Sequence, residues 1–203
     1  MKILHITTSP RGTDSVSHRL SQRVIERLLA RHPAARVIPR DLSAEPLPHV
    51  DGQYACALGR STGGAPQAHG LSSLAWSDLL IEELRQADCV VIGTPMHNFT
   101  VPSVLKAWID HVVRIGITFN ATPEGKIGTL ADRPVYIAIS SGGYRTGERA
   151  RQPDFLEPYL RAILGTIGLK NLNFVSAEAT VAGPDATTAA YAAVERELNL
   201  HFA

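Results

Sequence analysis

The feature that most constrains this chain is a repeated alternation. Four short runs are apolar on both faces: Lys2–Ile6 (KILHI), Cys89–Ile92 (CVVI), Val135–Ile139 (VYIAI) and Leu172–Val175 (LNFV). A weaker run covers Arg36–Pro39. A run with no polar face suits a strand buried on both sides in a parallel sheet, not a half-exposed antiparallel one. Between the runs the apolar period changes to that of a helix. Ser15–Arg31 carries Leu20, Val24, Leu28 and Leu29, and Ser72–Gln86 carries Leu74, Leu79, Leu80 and Leu84. Val104–Val113 carries Leu105, Trp108, Ile109 and Val112, and Phe155–Ile167 carries Leu156, Tyr159, Leu160, Ile163 and Leu164. Ala186–Leu200 is rich in Ala and Glu, which are strong helix formers. Pro33 and Gly168 stop the first and fourth helices.

Strand and helix alternate five times, which predicts a doubly wound α/β sheet with helices on both faces. Five strands in 203 residues suit the flavodoxin-like order 2-1-3-4-5 better than a six-stranded dinucleotide-binding sheet. At about 150 residues per domain, residues 1–203 read as a single domain. Two stretches exceed an idealised unit. Leu42–Leu71 is long and rich in Gly and Pro, and Gly116–Leu130 (GITFNATPEGKIGTL) reads as a hairpin or flap around Pro123-Glu124-Gly125. Loops of such length are usually functional covers.

Composition excludes several function classes. With 20 basic and 19 acidic side chains the net charge is +1, too balanced for nucleic acid or an anionic membrane as partner. No apolar run reaches the 18 residues that a membrane-spanning helix needs. The short apolar start, interrupted by Thr7-Thr8-Ser9, does not read as a secretion signal, so a cytoplasmic location is expected. The two cysteines, Cys56 and Cys89, form no CxxC and no cluster with His, so no metal site and no disulfide framework is expected.

In open α/β sheets ligands bind outside the carboxyl ends of the strands. The loop after the first run, Thr7–Ser21 (TTSPRGTDSVSHRLS), holds Ser9, Ser15 and Ser17 and enters a helix. A helix N-terminus with hydroxyls around it is a phosphate site, although Asp14 or Ser15 can also be read as a plain helix cap. The chain has no GxxxxGK[ST]: after Gly142–Gly147 come Glu148 and Arg149. It has no GxGxxG after the first run, and no acidic cluster there either. Neutral donors without lysine suit a monophosphate. The second loop, Gly93–Val101 (GTPMHNFTV), places Met96, His97, Asn98 and Phe99 as an apolar and amide wall for a flat heteroaromatic ring. The third, Ile139–Gly147 (ISSGGYRTG), has paired glycines that let backbone approach a ligand. Arg145, Arg149 and Arg151 read as a solvated face, with a 2′-phosphate site as the alternative.

These loops together resemble the FMN-dependent NADH-azoreductase family of flavodoxin-like quinone and azo reductases. The resemblance runs over nearly the whole chain. It rests on Ser9 with Ser15-Val16-Ser17, on Pro95-Met96-His97-Asn98-Phe99, on Ser140-Ser141-Gly142-Gly143, and on Asp41–Asp51 and Gly116–Phe119. It implies that Ser9, Ser15, Ser17 and the Val16 amide hold the FMN phosphate. It implies that Met96, His97, Asn98 and Phe99 line the ring, and that Ser140, Ser141, Gly142 and Gly143 approach its pyrimidine edge. Phe119 would help roof the substrate pocket. Family members often carry Tyr where His97 stands and Arg where Ser141 stands.

The implied activity is two-electron reduction of a quinone or azo compound at the expense of NAD(P)H. Donor and acceptor would use one place in turn, a ping-pong order, with no protein nucleophile and with His97 as a possible substrate contact. The resemblance also implies a homodimer. For that contact the sequence offers the apolar residues Leu105, Trp108, Ile109 and Val112 of the third helix and Phe155, Tyr159 and Ile163 of the fourth. The alternatives are an NAD(P)H-dependent FMN reductase and, in a different class, a non-enzymatic flavodoxin-like electron carrier. Such carriers tend to be acidic, against the +1 here.

Overall fold

The computed structural model describes residues 1–58 and 72–202. Five strands form one parallel sheet: β1 (Lys2–Thr7), β2 (Arg36–Asp41), β3 (Cys89–Pro95), β6 (Val135–Ser140) and β7 (Leu172–Ala177). Their order is β2-β1-β3-β6-β7, the expected 2-1-3-4-5 with a separate hairpin set aside. That hairpin is β4 (Phe119–Thr122) with β5 (Gly125–Gly128), antiparallel, at the position expected for it. The helices are α1 (Val16–Arg31), α2 (Gly52–Ala57), α3 (Ser73–Gln86), α4 (Ser103–Val112), α5 (Leu156–Thr166) and α6 (Pro184–His201).

The doubly apolar strands divide their side chains between two cores. Leu4, Ile6, Val90, Ile92, Ile137 and Ile139 point to the side covered by α3, α4 and α5. Ile3, Cys89, Val91, Ala138 and Val175 point to the side covered by α1 and α6. This alternation follows from the two-residue period of a strand. The edge strand β2 is only partly buried, which explains both its weak apolar signal and its tolerance of Pro39.

The strands outrun their apolar runs at the carboxyl end. Thr7, Asp41, Thr94 and Ser140 are still paired in the sheet, so its carboxyl end is closed by polar residues. The short helix α2 has no apolar signature. It is set by Asp51, whose carboxylate accepts from the Tyr54 N–H at 2.9 Å, and by the Tyr54 hydroxyl, which donates to the Asp110 carbonyl at 3.1 Å. The long cover expected over 42–71 is thus partly an ordered strap, and its residues 59–71 lie outside the described residues.

The expected partner face of α4 is corrected. Leu105, Trp108, Ile109 and Val112 are at most 2% exposed in the single chain. These four side chains pack into the chain's own core, so they are not free for a second copy. Tyr159 and Ile163 also pack on the core, whereas Phe155 is 61% exposed. Replacing Trp108 with Ala should therefore cost the folded chain about 3–5 kcal/mol, read from its denaturant midpoint. A loss under about 1 kcal/mol would mean that α4 is not seated in the core.

Candidate active site

The three loops after β1, β3 and β6 meet at the carboxyl end of the sheet. Hydrogen bonds join them directly. The Thr8 N–H and hydroxyl both donate to the Gly93 carbonyl at 3.2 Å, and the Met96 N–H donates to the Ser140 carbonyl at 2.8 Å.

The first loop makes a 3-10 turn over Gly12–Asp14 before α1. Gly12 has φ +54°, a left-handed conformation that glycine adopts without strain. Ser15 stands at the N-cap of α1, but its hydroxyl accepts from no backbone N–H of the helix. It lies 2.9 Å from the Ser17 hydroxyl instead. The Ser15 N–H is used by the Gly12 carbonyl at 3.1 Å. No described group accepts from the N–H of Val16, Ser17 or His18, as expected of the first turn of a helix. No carboxylate occupies that turn, so the positive end of the helix dipole is uncompensated. Ser9, Ser15 and Ser17 are all buried around it. The plain capping reading of Ser15 is thereby set aside.

Gly93 brings this helix end so close to the sheet. A Cβ there would stand 2.6 Å from Ser21 Oγ and 3.0 Å from the Ser17 carbonyl oxygen. Ser21 in turn lies 2.8 Å from His5 Nε2 on β1, and its hydroxyl donates to the His18 carbonyl at 2.9 Å. Burial, helped by the nearby His18 and opposed by Asp41, pushes His5 down to about 4.

The second loop is a two-residue turn. His97 and Thr100 exchange backbone hydrogen bonds of 3.0 Å in both directions. Asn98 and Phe99 between them have φ +48° and +69°. Two successive left-handed residues are the signature of a type I′ turn. Asn tolerates this conformation; for Phe it is strained. The turn leaves Phe99 43% exposed and His97 and Asn98 exposed at the rim. The His97 ring makes no hydrogen bond to a described group.

In the third loop Ser141 serves the protein itself. Its hydroxyl donates to the Gly143 carbonyl at 2.7 Å, and its carbonyl accepts from the Thr180 N–H and hydroxyl at 3.1 Å. Ser140 is buried beside it, and Gly142 lies under Val181. Arg145 is not on a solvated face. Its side chain is 1% exposed and pairs with Asp154, Glu157 and Glu178. With three carboxylates around it, it is no phosphate ligand.

Phe119 is also corrected. It is 6% exposed, under the Lys126 ammonium, and it belongs to a hairpin at the other end of the sheet. The Leu130 N–H donates to the Ile167 carbonyl, and Gly128 packs on Gly168, at the carboxyl end of α5 where the chain turns back towards the start of β7. Phe119 therefore does not roof the cleft of its own chain.

A cavity of about 940 Å³ lies elsewhere, along the edge of β7 between α5 and α6. Its strand-edge groups are already taken: Glu197 accepts from the Ser176 N–H, and His201 bonds the Phe174 carbonyl. Among the described residues no His, Cys, Asp and Glu cluster could hold a metal, and none of the helices is long and apolar enough to cross a membrane.

A family model for the flavodoxin-like fold matches residues 1–202. The chain belongs to the flavodoxin-like family. It is 46% identical over 187 residues to FMN-dependent NADH:quinone oxidoreductase 4 of Pseudomonas fluorescens, covering 92% of this chain and 88% of that one. It is 48% identical over 176 residues to FMN-dependent NADH:quinone oxidoreductase 5 of Burkholderia lata, covering 87% and 84%. Its structure is similar to that of an azoreductase from Bacillus anthracis, with a TM-score of 0.81, 26% identity and 98% of each chain covered.

The motifs had shown the serines and the loop after β3, but not Gly93 or the left-handed turn. An Asn ahead of Phe99 in a two-residue connection was the available signal for the turn. His5 generates a prediction. It is charged in the unfolded chain below about 6.5 and neutral in the folded protein down to about 4. Its contribution to stability is therefore present above 6.5 and is lost as pH falls towards 4, by about 3 kcal/mol. The unfolding free energy of wild type should fall by that much relative to His5→Gln across this window. A difference between the two that does not change with pH would contradict a neutral buried His5.

Proposed function

We propose that this protein is an FMN-dependent oxidoreductase that takes hydride from NAD(P)H and passes two electrons to a quinone or azo compound. The observation that carries this reading is the start of α1. Its free N–H groups, its uncompensated dipole and its buried hydroxyls fit a phosphate dianion. The other two loops fit the ring of the same molecule: an exposed aromatic face at Phe99, and glycine backbone at Gly142 and Gly143. The relatives at 46% and 48% identity are named FMN-dependent NADH:quinone oxidoreductases.

Val16, Ser17 and His18 would hold the phosphate through backbone N–H groups, with the Ser9 and Ser15 hydroxyls beside them. Ser17, wholly enclosed, orients the Ser15 hydroxyl. Met96, His97, Asn98 and Phe99 flank the ring on one side, and Ser140, Ser141, Gly142 and Gly143 on the other. Bound FMN supplies the two-electron chemistry. The chain supplies orientation, and no nucleophile is needed. Of the two thiols, Cys89 is buried at the amino end of β3 and pushed up to about 12 by that burial, so it stays protonated. His97, unpaired at the rim, is assigned to the acceptor.

A homodimer completes this reading. Phe99 and Phe155 are both exposed, and the Phe155 N–H donates to the Phe99 carbonyl at 3.0 Å. The hairpin carrying Phe119 and the 56% exposed Ile127 lies at the far end, away from the cleft of its own chain. The cytoplasm is the compartment assigned, supported by two free cysteines and the NAD(P)H requirement.

Two measurements test this. Replacing Ser9, Ser15 and Ser17 together with Ala should weaken FMN binding with the fold retained, since each hydrogen bond to a charged group contributes about 1.5–3 kcal/mol. Unchanged affinity would remove the loop from the site. For assembly, Phe155→Asp should lower both the solution mass and the quinone reductase rate. A wild-type monomer that works at full rate at micromolar concentration would end the shared-site reading.

A further inference from the structure

The loop between β6 and α5 lays one side chain, assigned by neither the motifs nor the family resemblance, against both Met96 and Gly143. Gln152 is part-buried, and its amide Nε2 lies 3.4 Å from Met96 Sδ. A Cβ on Gly143 would stand 3.0 Å from its Oε1. Gln152 therefore bridges the wall after β3 and the wall after β6. A thioether is a weak acceptor, and no other described group bonds to this amide. The carboxamide thus keeps a donor and an acceptor side by side, at the place where two walls converge.

The loop is held on both sides of Gln152. Before it, the Arg151 N–H donates to the Tyr144 carbonyl at 3.1 Å. After it, Asp154 pairs with the buried Arg145 and accepts from the N–H groups of Leu156 and Glu157 at 2.9 and 3.1 Å. The side chain is directed by an anchored loop, and the missing Cβ of Gly143 leaves room for it.

Resting on the reading that FMN occupies this cleft, we infer that Gln152 is a specificity-determining contact for the imide edge of the flavin ring. The pyrimidine part of a flavin carries an N–H between two carbonyls, and the opposite end carries two methyl groups. A carboxamide matches the first edge, donor to acceptor and acceptor to donor, and has nothing to offer the second. Gln152 would thus fix which way round the ring lies between Met96 and Gly143.

The test is a binding titration of flavin-free protein with FMN and with FMN methylated at the imide nitrogen. Wild type, Gln152→Met and Gln152→Ala are compared, methionine keeping the length and the packing on Met96. Wild type should prefer FMN by about three- to tenfold, the worth of one net hydrogen bond. Both variants should lose most of that preference and bind FMN more weakly, with the melting temperature of the flavin-free protein unchanged. A variant that keeps the wild-type preference and affinity would overturn the role of Gln152. Wild type that binds neither flavin would overturn the reading of the cleft, and this inference with it.

Discussion

The start of α1 can be an anion site only because the helix lies hard against β3. Gly93 permits that approach, with Ser17 and Ser21 filling the space a side chain would need. Below the contact, Ser21 is fixed by His5. The free N–H groups of Val16, Ser17 and His18 are consequently delivered to the carboxyl rim of the sheet, beside the loop after β3. The two-core sheet backs this arrangement: β1 and β3 are buried on both faces.

The remaining walls follow from the same rim. The Met96 N–H to Ser140 carbonyl bond sets the spacing between the second and third loops. The left-handed Asn98-Phe99 turn then exposes an aromatic ring that would otherwise seek the core. Strain of that kind persists where the surroundings over-determine it, and it clusters at ligand sites. The buried Arg145, with its three carboxylates, anchors the third loop to α5 and β7. In this account the chain provides a rigid phosphate anchor and two walls, while the transferable electrons reside in the cofactor.

Much of this was legible in the sequence, for physical reasons. A strand buried on both faces must be apolar at every position, so Cys89–Ile92 and Val135–Ile139 were visible as central strands. Serines at a strand-to-helix turn were visible because no core position calls for them. What stayed hidden depends on contacts between distant segments. Gly93 looks like any loop glycine until α1 is placed on it. Arg145 looks solvated until Asp154, Glu157 and Glu178 surround it. The apolar stripe of α4 looked wide enough for a partner because sequence periodicity does not count the neighbours that cover a helix. The family resemblance put Phe119 over the substrate pocket, but α4 carries the chain to the opposite end of the sheet before β4 begins.

The central claim is that the carboxyl rim of this one chain type holds FMN in a form that NAD(P)H reduces directly. The most direct measurement is the visible absorption of the purified, FMN-reconstituted protein under anaerobic conditions, with NADH or NADPH added and no other protein present. The account predicts that the flavin absorption bleaches on mixing and returns when a quinone or azo dye is added. A protein that retains no FMN, or whose bound FMN keeps its colour in excess NADH and NADPH until a separate reductase is supplied, would contradict it.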